Sequence, residues 1–203
     1  RNQLAFIDIF FRGMNNTNYN MAVCGTSGAG KTGLIQPLIR SVLDSGGFAV
    51  VFDMGDGYKS LCENMGGVYL DGETLRFNPF ANITDIDQSA ERVRDQLSVM
   101  ASPNGNLDEV HEGLLLQAVK ASWLAKKNQA RIDDVVNFLK NASDSEQYAG
   151  SPTIRSRLDE MIVLLDQYTA NGTYGRYFNS DEPSLRDDAR MVVLELGGLE
   201  DRP

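Results

Sequence analysis

Cysteine, histidine and tryptophan are scarce in this chain, which has two, one and one of them among 203 residues. Cys24 and Cys62 lie far apart and belong to no CxxC pair, and a single histidine does not complete a usual zinc site with them. The sequence therefore excludes the usual zinc-binding domains. Both thiols are expected to be reduced core residues, with Cys24 a small residue at the end of a strand.

Long apolar runs are lacking as well. No stretch approaches the ~18–20 apolar residues that are needed to cross a bilayer. The N-terminal residues also lack the basic start and the apolar stretch of a signal peptide. We therefore expect no transmembrane segment and a cytoplasmic location.

Basic residues are outnumbered by acidic ones. The chain has 19 Lys and Arg against 28 Asp and Glu, which gives a net charge of −9. Surfaces that bind nucleic acid phosphates concentrate Lys and Arg, so no direct nucleic acid binding is expected. Short basic pairs do occur, but each sits among acidic residues and is expected to be a solvated helix face: Arg92/Arg94, Lys126/Lys127 and Arg155/Arg157.

A glycine-rich loop is the strongest pattern that the sequence does contain. Residues 24–32 read CGTSGAGKT, which matches G-x-x-x-x-G-K-[ST] from Gly25 to Thr32 without departure. The apolar run YNMAV before the loop predicts a buried strand, which a hairpin from LAFIDIFF would precede. Apolar residues at helical spacing after the loop predict a helix that contains Pro37 and ends at Ser45-Gly46-Gly47.

This pattern predicts a loop that binds the phosphates of a nucleotide. Glycines let the backbone wrap so that its N–H groups face phosphate oxygens at a helix N-terminus, where the helix dipole adds a favourable field. Lys31 would place its charge on the β and γ phosphates as the catalytic group, and the Thr32 hydroxyl would bind Mg²⁺. The predicted nucleotide-binding residues are Gly25, Thr26, Ser27, Gly28, Ala29, Gly30, Lys31, Thr32 and Gly33.

The remaining sequence predicts an α/β fold interrupted by helices. The continuous apolar run FAVVFD predicts a strand buried on both faces, and strand, helix and strand in succession imply a parallel sheet. Beyond Ile83, four segments carry apolar residues at helical spacing: residues 88–100, 107–127, 132–141 and 153–168. The run MVVLELGGL, which predicts a buried strand, follows them. We therefore predict a P-loop core over residues 1–82, an all-α insertion over 83–180 and a return strand within 181–203.

Nucleotide hydrolysis also needs an acidic residue near the metal, and the strand ends offer candidates. Asp53 closes FAVVFD, and Glu195 lies mid-strand in MVVLELGGL, where we expect it to face a polar partner or the sheet edge; Glu200 and Asp201 follow. If FAVVFD lay directly beside the loop strand, Asp53 would hold Mg²⁺ as in kinase-like P-loop proteins. Alternatively, Asp53 caps the turn over residues 54–57. Neither strand ends in Asp-Glu, the usual signature of a motor ATPase.

Three further features have a functional and a structural interpretation. His111 has no second histidine for an H-E-x-x-H zinc motif and is predicted to be exposed or to cap a helix. Three aromatic side chains lie close together in sequence at Tyr174, Tyr177 and Phe178. They would either stack on nucleic acid bases beside Arg176 or pack in a core, and we predict that they pack in a core. Residues 18–20 would line an adenine pocket or form a turn. Trp123 is predicted to be a core or subunit-contact residue.

Five stretches in order resemble the type IV secretion ATPases of conjugation, within the wider group of FtsK- and HerA-like motors. They are GTSGAGKT, VVFDMGDGY, LCENMGGVYLDGETLRFNPF, NGTYGRYF and VVLELGGL. The resemblance covers nearly the whole chain. It implies a RecA-like, mostly parallel sheet with a helical insertion, incomplete on its C-terminal side because the Asp-Glu strand of the family lies further along, so that the chain is a fragment of a larger protein.

The same resemblance implies a function for that larger protein. It would be a hexameric motor that hydrolyses ATP with Mg²⁺ and works with other type IV secretion components at the inner membrane, while the fragment itself would be inactive in hydrolysis. Asp53 would then lie too far from the metal to hold it. An arginine often reaches the γ phosphate of the neighbouring subunit in this family, and the resemblance leaves three candidates open: Arg155, Arg157 and Arg176.

Overall fold

The computed structural model describes residue 10 and residues 18–105, 107–180, 184 and 188–197. The chain divides into two compact units, Arg1–Ala49 and Val50–Pro203. Its strands are β1 (Ala49–Asp53), β2 (Val68–Leu70) and β3 (Met191–Glu195). Its α-helices are α1 (Lys31–Asp44), α2 (Lys59–Asn64), α3 (Ile86–Ala101), α4 (Glu109–Lys126), α5 (Ile132–Ser143), α6 (Glu146–Ala149), α7 (Pro152–Asp166) and α8 (Gly175–Phe178).

The helix predicted after the loop is confirmed. Helix α1 runs without interruption through Pro37. It ends where Gly46 takes a φ of 88° and its N–H donates to the carbonyl of Leu43, while the N–H of Gly47 donates to that of Val42. These two bonds give donors to carbonyl oxygens of the last turn that would otherwise have none. The left-handed backbone conformation at position 46 favours glycine over other residues.

The strand predicted before the loop is wrong. Residues 18–26 have no strand structure, because a strand requires main-chain partners and no described strand pairs with them. Tyr19, Met21 and Cys24 are exposed, so Cys24 is not the core residue that we predicted. The hairpin predicted over LAFIDIFF lies outside the described residues.

The sheet of the second unit has the strand order β1, β3, β2. Strands β2 and β3 pair in parallel, with Val68 opposite Val192, and all five residues of β3 are buried as predicted. In β1, alternate side chains are exposed, and Val50 and Phe52 expose 51% and 69% of their surface. The prediction that β1 is buried on both faces is therefore wrong, since β1 lies at an edge of the described sheet and shows the period of two of a half-buried strand.

Helices α3, α4, α5 and α7 pack together around one hydrophobic cluster. They confirm all four predicted helical segments, and the described residues from 83 to 180 contain no strand. No helix among the described residues combines the length and the apolar character that a membrane span requires. The largest buried leucines of this cluster are Leu97, Leu115, Leu139, Leu158 and Leu165.

Glu195 connects the ends of β1 and β3. It is the last residue of β3 rather than a mid-strand residue, and its buried carboxylate accepts three main-chain hydrogen bonds. The N–H groups of Gly55 and Gly197 donate to Oε1 over 3.0 and 2.8 Å, and the N–H of Asp56 donates to Oε2 over 3.0 Å. Burial disfavours the ionised carboxylate, but the three donors outweigh it and lower the pKa of Glu195.

Replacing Glu195 with Gln is expected to lower the free energy of unfolding by about 1.5–3 kcal/mol, because an amide nitrogen would face N–H groups that now donate to a charged oxygen. The folded-state pKa lies below the unfolded value, so the stabilisation is present above the unfolded pKa of about 4.3 and is lost as pH falls through the folded pKa. Urea unfolding between pH 7 and pH 3 measures both effects.

The matched control is Glu63→Gln, which alters an exposed acid on α2. We expect the difference in the free energy of unfolding between wild type and the Glu195 variant to become smaller at acid pH. The Glu63 variant should have the same free energy of unfolding as wild type at every pH. Equal pH profiles for the two variants would show that the Glu195 contacts do not stabilise the fold.

Candidate functional site

Two left-handed glycines shape the loop that precedes α1. Gly28 and Gly30 have φ values of 78° and 84°, in a region that residues with a Cβ rarely adopt. Between them, the N–H of Ala29 donates to the carbonyl of Thr26 over 3.2 Å and closes a tight turn. Gly30 is the N-cap of α1 and supplies no side-chain cap. The glycines at these positions therefore allow the chain to turn sharply into the helix.

The first turn of α1 has unused main-chain donors. The first bond into the helix from its cap runs from the N–H of Leu34 to the carbonyl of Gly30. In the described part of the chain, no acceptor is found for the N–H groups of Gly30, Lys31, Thr32 and Gly33. Such donors at a helix N-terminus, together with the positive end of the helix dipole, favour binding of an anion.

The side chain of Lys31 folds back over this loop. Its ammonium donates to the carbonyl of Gly25 over 2.8 Å and to that of Thr26 over 2.9 Å. A Cβ on Gly25 would lie 3.3 Å from the Cβ of Ala29, which is closer than most such contacts, so glycine avoids crowding at this point of the loop. The ammonium is thus held beside the loop by two neutral oxygens, and its positive charge is not cancelled by them.

These residues fit a nucleotide phosphate chain with a divalent cation. The loop offers unused N–H donors and one ammonium group, which are complementary to phosphate oxygens. Thr32 lies exposed in the first turn of α1, where its hydroxyl oxygen is available as one of the oxygen ligands that Mg²⁺ prefers. The chemical capacity of the loop is therefore to hold a triphosphate and one side of its metal ion.

The candidate acids have structural partners. Asp53 Oδ2 accepts from the N–H of Tyr58 over 3.2 Å, which agrees with the interpretation that Asp53 caps the turn after β1. The Glu195 carboxylate is committed to three N–H groups. Glu200 and Asp201 lie outside the described residues.

The three candidate arginines differ in their contacts. Arg157 on α7 donates from Nε and Nη2 to Oδ2 of Asp108. Arg176 lies over the ring of Tyr177, with 4.5 Å from Cζ to the ring centroid, and donates to its hydroxyl. Arg155 is exposed on α7. Two of the three arginines therefore have partners within the chain. Among the described residues, none of the three has a contact that indicates a role in catalysis.

The other candidate features are structural. Tyr177 is buried, Phe178 meets Tyr168 edge to face at 5.4 Å, and Tyr174 stacks on Tyr168, which supports core packing over base binding. Residues 18–20 are exposed and form a local bond from the N–H of Asn20 to Oδ1 of Asn18. Each of the three basic pairs has a member with an acidic partner, because Arg94 contacts Asp95, Lys126 contacts Asp134 and Arg157 contacts Asp108. Trp123 is half-buried against the helical cluster.

His111 caps α4 as predicted, but it is buried rather than exposed. The Asp108 side chain accepts from the N–H of His111, and the ring of His111 lies against the main chain of Asp108 in return. Only 6% of the histidine surface is exposed. Helix capping was one of the two alternatives predicted for His111, and its burial was not predicted.

The sequence interpretation missed a link between β2 and the turn after β1. The hydroxyl of Tyr69 donates to Oδ1 of Asp56, and Lys59 Nζ lies 5.0 Å from the centroid of the same ring. Burial and this donation raise the pKa of Tyr69. Asp56 itself has a φ of 59°. The turn residues around Asp56 were recognisable, but their tyrosine partner is 13 positions away and only the sheet topology brings it close.

The chain is similar to known proteins over most or all of its length. Protein TraC of Escherichia coli strain K12 is 97% identical over the whole chain, and the chain spans 23% of the length of that relative. The structure of VirB4 of Thermoanaerobacter pseudethanolicus matches 99% of this chain and 56% of its own, with a TM-score of 0.68 at 18% identity. That structural match confirms the predicted α/β fold class. The TraG P-loop domain family matches residues 2–203, and the chain therefore belongs to this family.

Proposed function

We propose that this chain is the ATP-binding part of a motor ATPase that powers conjugative type IV secretion, including pilus assembly and the transfer of DNA and protein. The observation that carries the proposal is the start of α1, where the N–H groups of residues 30–33 have no acceptor among the described residues and the ammonium of Lys31 is held by two neutral carbonyl oxygens. The identity to TraC and the match of the TraG P-loop domain family support the secretion context.

In this proposal each loop residue has a role that its chemistry supports. The main-chain donors over residues 25–33 hold the phosphates, and Lys31 supplies the positive charge that stabilises the γ phosphate during its cleavage. Thr32 provides a hydroxyl ligand to Mg²⁺. When bound, the metal ion neutralises phosphate charge.

The larger protein would supply the parts that this chain does not contribute. We propose that it forms a hexamer, hydrolyses ATP and works at the cytoplasmic face of the inner membrane through other type IV secretion components. Within the chain, the division into a core over residues 1–82, a helical insertion over 83–180 and a return strand within 181–203 stays a proposal. The insertion would face neighbouring subunits or a coupling partner.

Replacing Lys31 with Ala is expected to weaken ATP binding by about 100-fold or more, because a charge-assisted contact to phosphate is lost. Isothermal titration calorimetry of the chain with ATP and Mg²⁺ measures the change. Arg40→Ala is the matched control, since Arg40 is an exposed cation on the same helix. Unchanged affinity in the Lys31 variant would refute the proposed phosphate site.

Replacing Thr32 with Ala is expected to remove most of the dependence of ATP affinity on Mg²⁺, since the variant retains the loop amides and lacks the hydroxyl ligand. Thr32→Ser is the matched control and should behave like wild type. Titrations with ATP in Mg²⁺ and in EDTA measure the difference. An alanine variant with full Mg²⁺ dependence would exclude Thr32 as a metal ligand.

Turnover separates the motor from two rival functions. A kinase-like phosphotransferase would use Asp53 on Mg²⁺ and lose phosphate transfer in Asp53→Asn, whereas the carboxylate of Asp53 here accepts from Tyr58. A nucleotide-gated docking module would bind ATP without turnover even in the longer protein. We expect the chain alone to bind ATP with negligible hydrolysis and the longer protein to hydrolyse ATP. Assays of phosphate release from the chain and from the longer protein test this expectation.

A further inference from the structure

We draw no further inference here: the strongest candidate, the groove of about 830 Å³ that lies between α3, residues 77–79 and Phe178, has both acidic and basic side chains of α3 along its wall, and nothing in the described part of the chain shows what covers it.

Discussion

The left-handed backbone of Gly30 determines what the start of α1 offers to a ligand. A residue with an ordinary N-cap side chain would accept a hydrogen bond from the first turn of the helix, and the helix would satisfy its own donors. Gly30 supplies no such oxygen, and its φ of 84° turns the chain directly into Lys31. The N–H groups of the first turn therefore stay available, and the positive end of the helix dipole acts at the same place.

The elements that could be predicted from the sequence are those whose information is local. Apolar residues at helical spacing predicted α3, α4, α5 and α7, because a helix makes its main-chain bonds within itself and needs only a matching apolar stripe. The end of α1 at Gly46 followed from glycine chemistry in the same way. Strands lack this independence. The run YNMAV has strand composition, yet residues 18–26 form no strand since no described partner pairs with them.

The parts of the site region that escaped prediction are contacts between residues far apart in sequence. Glu195 lies about 140 positions from the turn that it holds, and nothing in the strand MVVLELGGL indicates that its carboxylate accepts from Gly55 and Asp56. The burial of His111, whose Nε2 lies 3.7 Å from Oε2 of Glu160 on α7, was likewise not predicted, although capping was one of the two alternatives for this residue. Local chemistry can be read from a sequence, whereas the partner across the fold depends on topology.

Several cations of this acidic chain pair with carboxylates, whereas Lys31 does not. With 28 acidic against 19 basic side chains, most cations can find a carboxylate, and several do: Arg40, Arg94, Lys120, Lys126, Lys140 and Arg157 all lie within ion-pair distance of an Asp. Lys31 instead donates to two carbonyl oxygens, which hold the ammonium in position without neutralising it. A phosphate that replaces these neutral acceptors gains the full charge interaction, whereas at any of the paired cations it would have to displace an existing anion. The ammonium of Lys31 is therefore more open to an incoming anion than the cations that are paired with an Asp.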